Sequence, residues 1–400
     1  MQTESAAMMN SYRLIVLLAA LGTAAAIPCP AASAPDRQEV SGNPCRLVLP
    51  ERITAVVGHE MNIYFDNLVL VADLDRVRFD VNCGKGRQQN ERWSFTPAPG
   101  DVGDCDLTLD VYDAGSRLLA SARTTVRVVP AAAGAGKNVR LLLIGDSLTH
   151  HAVYPEELLT LCKAPGNPRL QLLGKHATGP SPANRHEGYG GWTFERFTSF
   201  YAAEQDPARY QQMGSPFVFM ENGGKVLDFR RYVAEQCADQ APDVVVIVLG
   251  VNDIYSTDEA GIEAVLDRVF DHAEQLVAAI RDAGAHIRIG VGMIAPPAAS
   301  QDAFGTNAAC GQTRWQYRRN QHRFVERVRA LFVGRETAGI YLVPFYVNLD
   351  TANNYPSAAV AVNARNPTPI VRQTNAVHPD SSGYRQMADT LYAWLKSLQL

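Results

Sequence analysis

The sequence predicts an α/β protein, with a parallel sheet in residues 138–400 preceded by a small all-β sandwich in residues 45–130. After residue 138, short apolar runs alternate with amphipathic helical stretches, the pattern of right-handed βαβ units. Before residue 130, β-branched and aromatic runs recur at roughly 8–12-residue spacing between turn signals, the pattern of a sandwich. Between the two lies Pro130-Ala131-Ala132-Ala133-Gly134-Ala135-Gly136, small and flexible, so residues 131–137 read as a linker.

The composition is globular: 46% hydrophobic and 20% charged over 400 residues, long enough for two domains. A formal net charge of −4 gives no electrostatic case for a nucleic-acid partner. The N-terminus has the form of a secretion signal, residues 1–34. Arg13 precedes the apolar run Leu14 to Ile27, and Ala32-Ser33-Ala34 fits a small-residue cleavage site. That run is about 14 residues, short of the ~20 a spanning helix needs, so stable membrane insertion is not expected after cleavage. The expected location is secreted or periplasmic. Cleavage removes Cys29 and leaves Cys45, Cys83, Cys105, Cys162, Cys237 and Cys310, an even set suited to an oxidising compartment. Cys83 with Cys105 is the first choice of disulfide, because the two flank one candidate hairpin. No spacing resembles a zinc site, and no metal or cofactor is expected.

In the first domain the strand candidates are Ile53 to Val57, Met61 to Phe65, Val77 to Val81, Leu107 to Tyr112 and Thr124 to Val129. Trp93 and Phe95 can bind sugar, but sandwich core is the better reading. In the second, strands are expected at Val139 to Ile144, Leu170 to Leu173, Val244 to Leu249, Ile287 to Met293 and Ile340 to Val343. Helices are expected at Tyr154 to Cys162, Gly261 to Ala283, Trp315 to Phe332 and Tyr384 to Leu400. In the longest, Ile262, Val265, Leu266, Val269, Phe270, Ala273 and Val277 share one side.

The chemistry sits at the carboxyl ends of these strands, where open α/β sheets place their ligands. Gly145-Asp146-Ser147-Leu148 closes the first strand and offers an exposed hydroxyl, with the Ser147 amide free to face an anion. Glu187-Gly188-Tyr189-Gly190-Gly191-Trp192-Thr193 is a glycine turn that opens a helix, allowing close approach of a backbone amide. Gly250-Val251-Asn252-Asp253 follows the third strand, and Asn252 can aim a side-chain N–H at the same point. Asn375-Ala376-Val377-His378-Pro379 precedes the closing helix, and His378 can serve as general base.

These four blocks, in this order and spacing, resemble the SGNH (GDSL-type) hydrolase family from Val139 to Leu400. The resemblance implies a flavodoxin-like three-layer α/β/α sandwich with about five parallel strands, and ester hydrolysis. Carried over by position, it makes Ser147 the nucleophile and His378 the base. It makes the amides of Ser147 and Gly191 and the side chain of Asn252 the oxyanion hole. The G-x-S-x-G elbow of the other large esterase fold is absent.

One catalytic position departs from the pattern. The family usually carries Asp three residues before the histidine, and here that place is Asn375. An amide oxygen accepts the imidazole N–H but brings no charge. In a serine protease the equivalent Asp-to-Asn change costs about 10⁴ in rate. Either a main-chain carbonyl or another acid, Asp380 or Asp253, orients His378, or turnover is slow. The insertion Ser215 to Tyr232 and the stretch Gly305 to Arg319 are either the cleft rim or surface decoration, and Tyr189 and Trp192 either stack on a sugar or are packing residues. The expected activity is therefore a serine esterase acting on a small-molecule or polysaccharide O-acyl ester, an O-acetylated carbohydrate foremost. The alternatives are a lipase or thioesterase on longer acyl chains, or a catalytically weak glycan-binding protein.

Overall fold

The computed structural model describes residues 45–237 and 240–398. The signal segment expected at residues 1–34, with Cys29, lies outside them. The first part of the described chain forms three small sheets, one of which is only the pairing of Arg46–Leu47 with Val69–Leu70. In another, β1 (Arg52–Val56), β7 (Leu118–Val129), β6 (Gly103–Asp113) and β3 (Val77–Asn82) lie in that order, with β1 parallel to β7 and the rest antiparallel. In the third, β5 (Arg92–Phe95) pairs with both β2 (Met61–Tyr64) and β4 (Arg87–Gln88). Strand alternation decides what is buried. Leu107, Leu109 and Val111 point inward and are 0–1% exposed, while the residues between them face out. Trp93 and Phe95, two residues apart on β5, also point into this core, and Trp93 Nε1 donates to Lys85 O at 3.0 Å. They are packing residues and present no ring to a ligand.

Residues 131–136 are a run of turns, held by Ala133 N to Pro130 O (3.0 Å) and Ala135 N to Ala132 O (3.1 Å). The chain then enters β8 (Asn138–Gly145), whose Leu141, Leu142, Leu143 and Ile144 are all fully buried. A strand apolar on both faces belongs inside a parallel sheet covered on both sides. Its partners follow: β9 (Arg169–Leu173), the short β10 (Glu187–Gly188), β11 (Val244–Val248), β12 (Arg288–Gly292) and β13 (Ile340–Val343). The order is β9-β8-β11-β12-β13, with β10 on the far end of β8, and every pair is parallel. This is the flavodoxin-like order, and the direction of winding reverses between β8 and β11. Among the covering helices, α3 (Ile262–Ala283) buries Ile262, Leu266, Val269, Phe270, Ala273, Leu276, Val277 and Ile280, a stripe of helical period. The closing helix α5 (Ser381–Ser397) packs on α2 (Val153–Lys163).

Two exposed hairpins decorate this frame. Val218–Glu221 pairs with Gly224–Leu227 around Asn222 and Gly223, both at positive φ, the demand of a tight hairpin turn. Ser357–Asn363 pairs with Asn366–Gln373 just ahead of the His378 loop.

The Arg-rich helix α4 (Arg314–Phe332) has a role the sequence did not suggest. Arg314, Arg318 and His322 are four residues apart and so share one face. Arg314 Nη2 pairs with Asp66 at 2.9 Å, Arg318 Nη2 donates to Val69 O at 3.1 Å, and His322 Nε2 lies 3.4 Å from Leu68 O. Arg318 also reaches Asp66 O and the Gln321 side chain. The segment after β13 adds Asn62 N to Asn348 Oδ1 (2.9 Å) and Asn67 Nδ2 to Leu349 O (2.6 Å). The face of α4 therefore docks the β-rich region, and Arg314 and Arg318 do not form a substrate rim.

The expected Cys83–Cys105 disulfide is not formed. The two thiols are neighbours in hydrogen-bonding contact, and burial together with Cys83 pushes the Cys105 thiol up to about 11. No two cysteines of the described residues are bonded. No described helix is long and apolar enough to cross a membrane.

Arg318 is buried, and its removal leaves the carbonyls of Asp66 and Val69 without a donor. Arg318→Ala is expected to lower unfolding free energy by about 3 kcal/mol, whereas the exposed Arg123→Ala changes it by less than ~0.5 kcal/mol. Chemical denaturation of the full chain measures both.

Candidate active site

Ser147 stands at the carboxyl end of β8, as the first residue of the one-turn helix α1 (Ser147–His150). Asp146 caps that turn, its Oδ1 accepting the Leu148 amide at 2.9 Å. Thr149, two residues on, packs where Gly145 and Gly188 approach. A Cβ on Gly188 would stand 2.6 Å from Thr149 Cβ. The absence of a side chain there lets β10 lie against the end of β8, with Gly145 opposite Gly188 in register. This places the glycine turn beside the serine.

Gly191, in that turn, is exposed and has φ +81°, a conformation glycine adopts without strain. Residues after β11 hold the segment around it. Asn252 Nδ2 donates to Trp192 O at 3.0 Å, and Asp253 Oδ1 accepts the Phe194 amide at 3.1 Å. A primary amide has two N–H groups, so Asn252 keeps one for a ligand. Below the turn, buried Glu187 accepts from Lys175 N and the Tyr232 hydroxyl, both at 2.7 Å, and from the Tyr189 hydroxyl. Tyr189 and Trp192 are 0% exposed and pack against each other, with their ring planes tilted by 37°. They are packing residues, which decides between the two sequence readings against sugar stacking.

His378 arrives from the loop before α5. Asp380 caps that helix, its Oδ1 accepting Ser382 N at 2.7 Å and Gly383 N at 3.1 Å. His378 Nε2 lies 2.8 Å from Ser147 Oγ. A hydroxyl and an imidazole nitrogen at that distance form the pair that nucleophilic catalysis by serine requires. Asn375 Oδ1 accepts the amides of Val377 (3.1 Å) and His378 (2.9 Å), so it shapes the loop backbone. Among the described residues the imidazole's only hydrogen-bond partner is Ser147, and neither Asp380 nor Asp253 bonds to it. Burial first, and then the neighbouring His151, lower His378 to about 4.

Sequence reasoning missed the groups beside this pair. His151 is exposed, its ring centroid 4.8 Å from that of His378, and its Nδ1 is 2.8 Å from the Tyr384 hydroxyl. His150 Nδ1 is 3.0 Å from His176 Nε2. The signal was there: two histidines directly follow Ser147-Leu148-Thr149. Among the described residues no group of His, Cys, Asp and Glu is arranged to hold a metal ion.

A family model for GDSL-like lipases/acylhydrolases matches residues 143–386. The chain belongs to this family of ester hydrolases. No curated protein matches it in sequence. Among solved structures it is similar to a gut microbial diltiazem-metabolizing enzyme, at 14% identity and TM-score 0.37, over 65% of this chain and 47% of that one. It thus spans about half the length of that enzyme. It is also similar to an acetyl xylan esterase (14%, TM-score 0.36, 64% of this chain and 100% of that one). A carbohydrate acetylesterase family member from Sinorhizobium meliloti gives 14% and TM-score 0.37, over 65% of this chain and 99% of that one.

Two acids lie buried in this GDSL-like hydrolase's site. Burial pushes Asp146 up to about 7, and Asp253 likewise to about 7. Each has one oxygen with no partner, Asp146 Oδ2 and Asp253 Oδ2. The fold therefore favours the neutral acids. For Asp146 this contribution to stability is full below the ordinary value of 3.8 and is lost as pH rises through about 7. Asp146→Asn keeps an oxygen for the Leu148 amide but carries no charge. Its melting temperature relative to wild type is expected to rise between about pH 5 and about pH 8 by on the order of 5 °C. Thermal unfolding at the two pH values measures it.

Proposed function

We propose that this ester hydrolase is a serine esterase that removes short acyl groups, acetyl foremost, from carbohydrate, by a Ser147–His378 mechanism without metal or cofactor. The observation that carries the reading is the 2.8 Å contact between Ser147 Oγ and His378 Nε2, beside the Gly191 turn and Asn252. His378 Nε2 takes the hydroxyl proton as Oγ attacks the ester carbonyl. The negative oxygen that forms is met by the amides of Ser147 and Gly191 and by Asn252 Nδ2. His378 returns the proton to the leaving alcohol, leaving an acyl-serine. It then takes a proton from water, whose oxygen attacks the acyl carbon, and returns that proton to Ser147 Oγ as the bond between the acyl carbon and Oγ breaks and the acid leaves.

The surroundings favour a small acyl group on a bulky polar alcohol. Gly191, His151 and Gln211 are exposed at the mouth, with Gln211 Nε2 bonded to Gly190 O at 3.4 Å. Export is proposed on the N-terminal sequence alone.

The test is a panel of p-nitrophenyl esters of increasing chain length, with acetylated polysaccharides. The acetate is expected to be cleaved fastest, Ser147→Ala to lose activity, and Asn252→Ala to lose about 10²–10³ in kcat. Preference for long acyl chains would make the enzyme a lipase or thioesterase. Glycan retention with no hydrolysis by the wild type would make it a binding protein.

A further inference from the structure

The Ser147–His378 reading leaves a question of mechanics. An imidazole that takes a proton each cycle must keep Nε2 aimed at the serine. In Ser-His-Asp sites a carboxylate on the other nitrogen does this. Here the oxygen of Asn375 is occupied by two backbone amides, and Asp380 is occupied at its helix cap.

What the catalytic ring does have is a second ring against it. His151 lies with its centroid 4.8 Å from that of His378, at an interplanar angle of 37°. Its backbone is fixed, since His151 N donates to Ser147 O at 3.0 Å. Its side chain is fixed as well, since Nδ1 and the hydroxyl of buried Tyr384 are 2.8 Å apart. One residue thus ties the nucleophile's own turn, the closing helix and the catalytic imidazole together. We propose that His151, held by Tyr384, is the positioning residue that keeps the His378 imidazole aimed at Ser147, and that its own protonation turns the site down in acid. The proposal rests on the Ser147–His378 reading.

The second half follows from charge. His151 is faced by His150 from its own turn, by His378 from the catalytic loop and by Tyr384 from α5. Among the described residues no carboxylate bonds to it. Burial of part of its ring and then His150 lower it below 6.5, and burial and then His151 lower His378 to about 4. His151 is the more exposed of the two rings and the more open to protons from solvent. A cation in ring contact with His378 opposes the second cation that forms when His378 takes the serine proton. Two interacting histidines then shape the acid limb as a pair.

The test is kcat and KM for p-nitrophenyl acetate between about pH 3.5 and about pH 8. Wild type, His151→Phe, His151→Ala, Tyr384→Phe and Ser147→Ala are compared. The acid limb of kcat/KM is expected to involve two protonations in wild type and one in His151→Phe. His151→Ala, which removes the packing ring, is expected to have about tenfold lower kcat than His151→Phe, with little change in KM, as positioning losses do. Tyr384→Phe is expected to lower kcat while keeping the two-proton limb. A two-proton limb in His151→Phe, or equal kcat in the Phe and Ala variants, overturns the proposal. Full activity in Ser147→Ala instead overturns the reading of the site on which it rests.

Discussion

The catalytic end of this molecule depends on one constraint: β8 and β11, first and fourth strands of their sheet in chain order, are neighbours. The chain winds one way from β8 to β9 and the other way from β8 to β11. The loops leaving β8 and β11 therefore diverge above a crevice instead of being covered by a crossover. Ser147 leaves one side of it and Asn252 the other. The Gly145–Gly188 approach over Thr149 then brings β10 against the same strand, and Gly191 follows three residues later. Ser147, Gly191 and Asn252 are far apart in sequence and close because of strand order and one missing side chain.

The electrostatics of the site lean toward neutrality. His378 bonds to no acid, and burial makes its cation costly. Asp146 and Asp253 hold their positions through one oxygen each, while burial favours their protonated forms. In the proposed mechanism the work of holding charge in a transition state falls to dipoles: two amides and a side-chain amide. Such groups, fixed before the substrate arrives, cost no reorganisation when the oxyanion forms. Buried Glu187 and its tyrosine partners fix the floor of the glycine turn in the same spirit, with each of its oxygens accepting a hydrogen bond.

Much of this was legible in the sequence because parallel strands announce themselves. Leu141 to Ile144 and Val244 to Val248 are apolar without interruption, and buried strands must be. Ser147 and Asn252 are legible because they end such runs. The hairpin Ser357–Gln373 was not legible. Both faces of its strands meet solvent, so no alternation marks them. Nor was the docking face of α4. Arg314 and Arg318 fall in the stretch Gly305 to Arg319 that reads as a cleft rim or as surface decoration, and only the fold supplies the Asp66 carboxylate and the Asp66 and Val69 carbonyls that take them. His151 was overlooked because a histidine beside a serine in sequence has no direction until the helix turn gives it one. Tyr189 and Trp192 stayed between two readings for a related reason: aromatic residues beside a glycine turn can form a ligand platform or fill the space beneath it, and only the fold shows that they fill it.

The central claim is that Ser147 Oγ, His378 Nε2 and three N–H groups converge on one point. A crystal structure of the enzyme treated with an organophosphonate tests it most directly. The account predicts phosphorus bonded to Ser147 Oγ, with its oxygen within about 3 Å of Ser147 N, Gly191 N and Asn252 Nδ2. A serine left unmodified by a reagent that labels other serine esterases would contradict it. So would an adduct whose oxygen points away from Gly191 and Asn252.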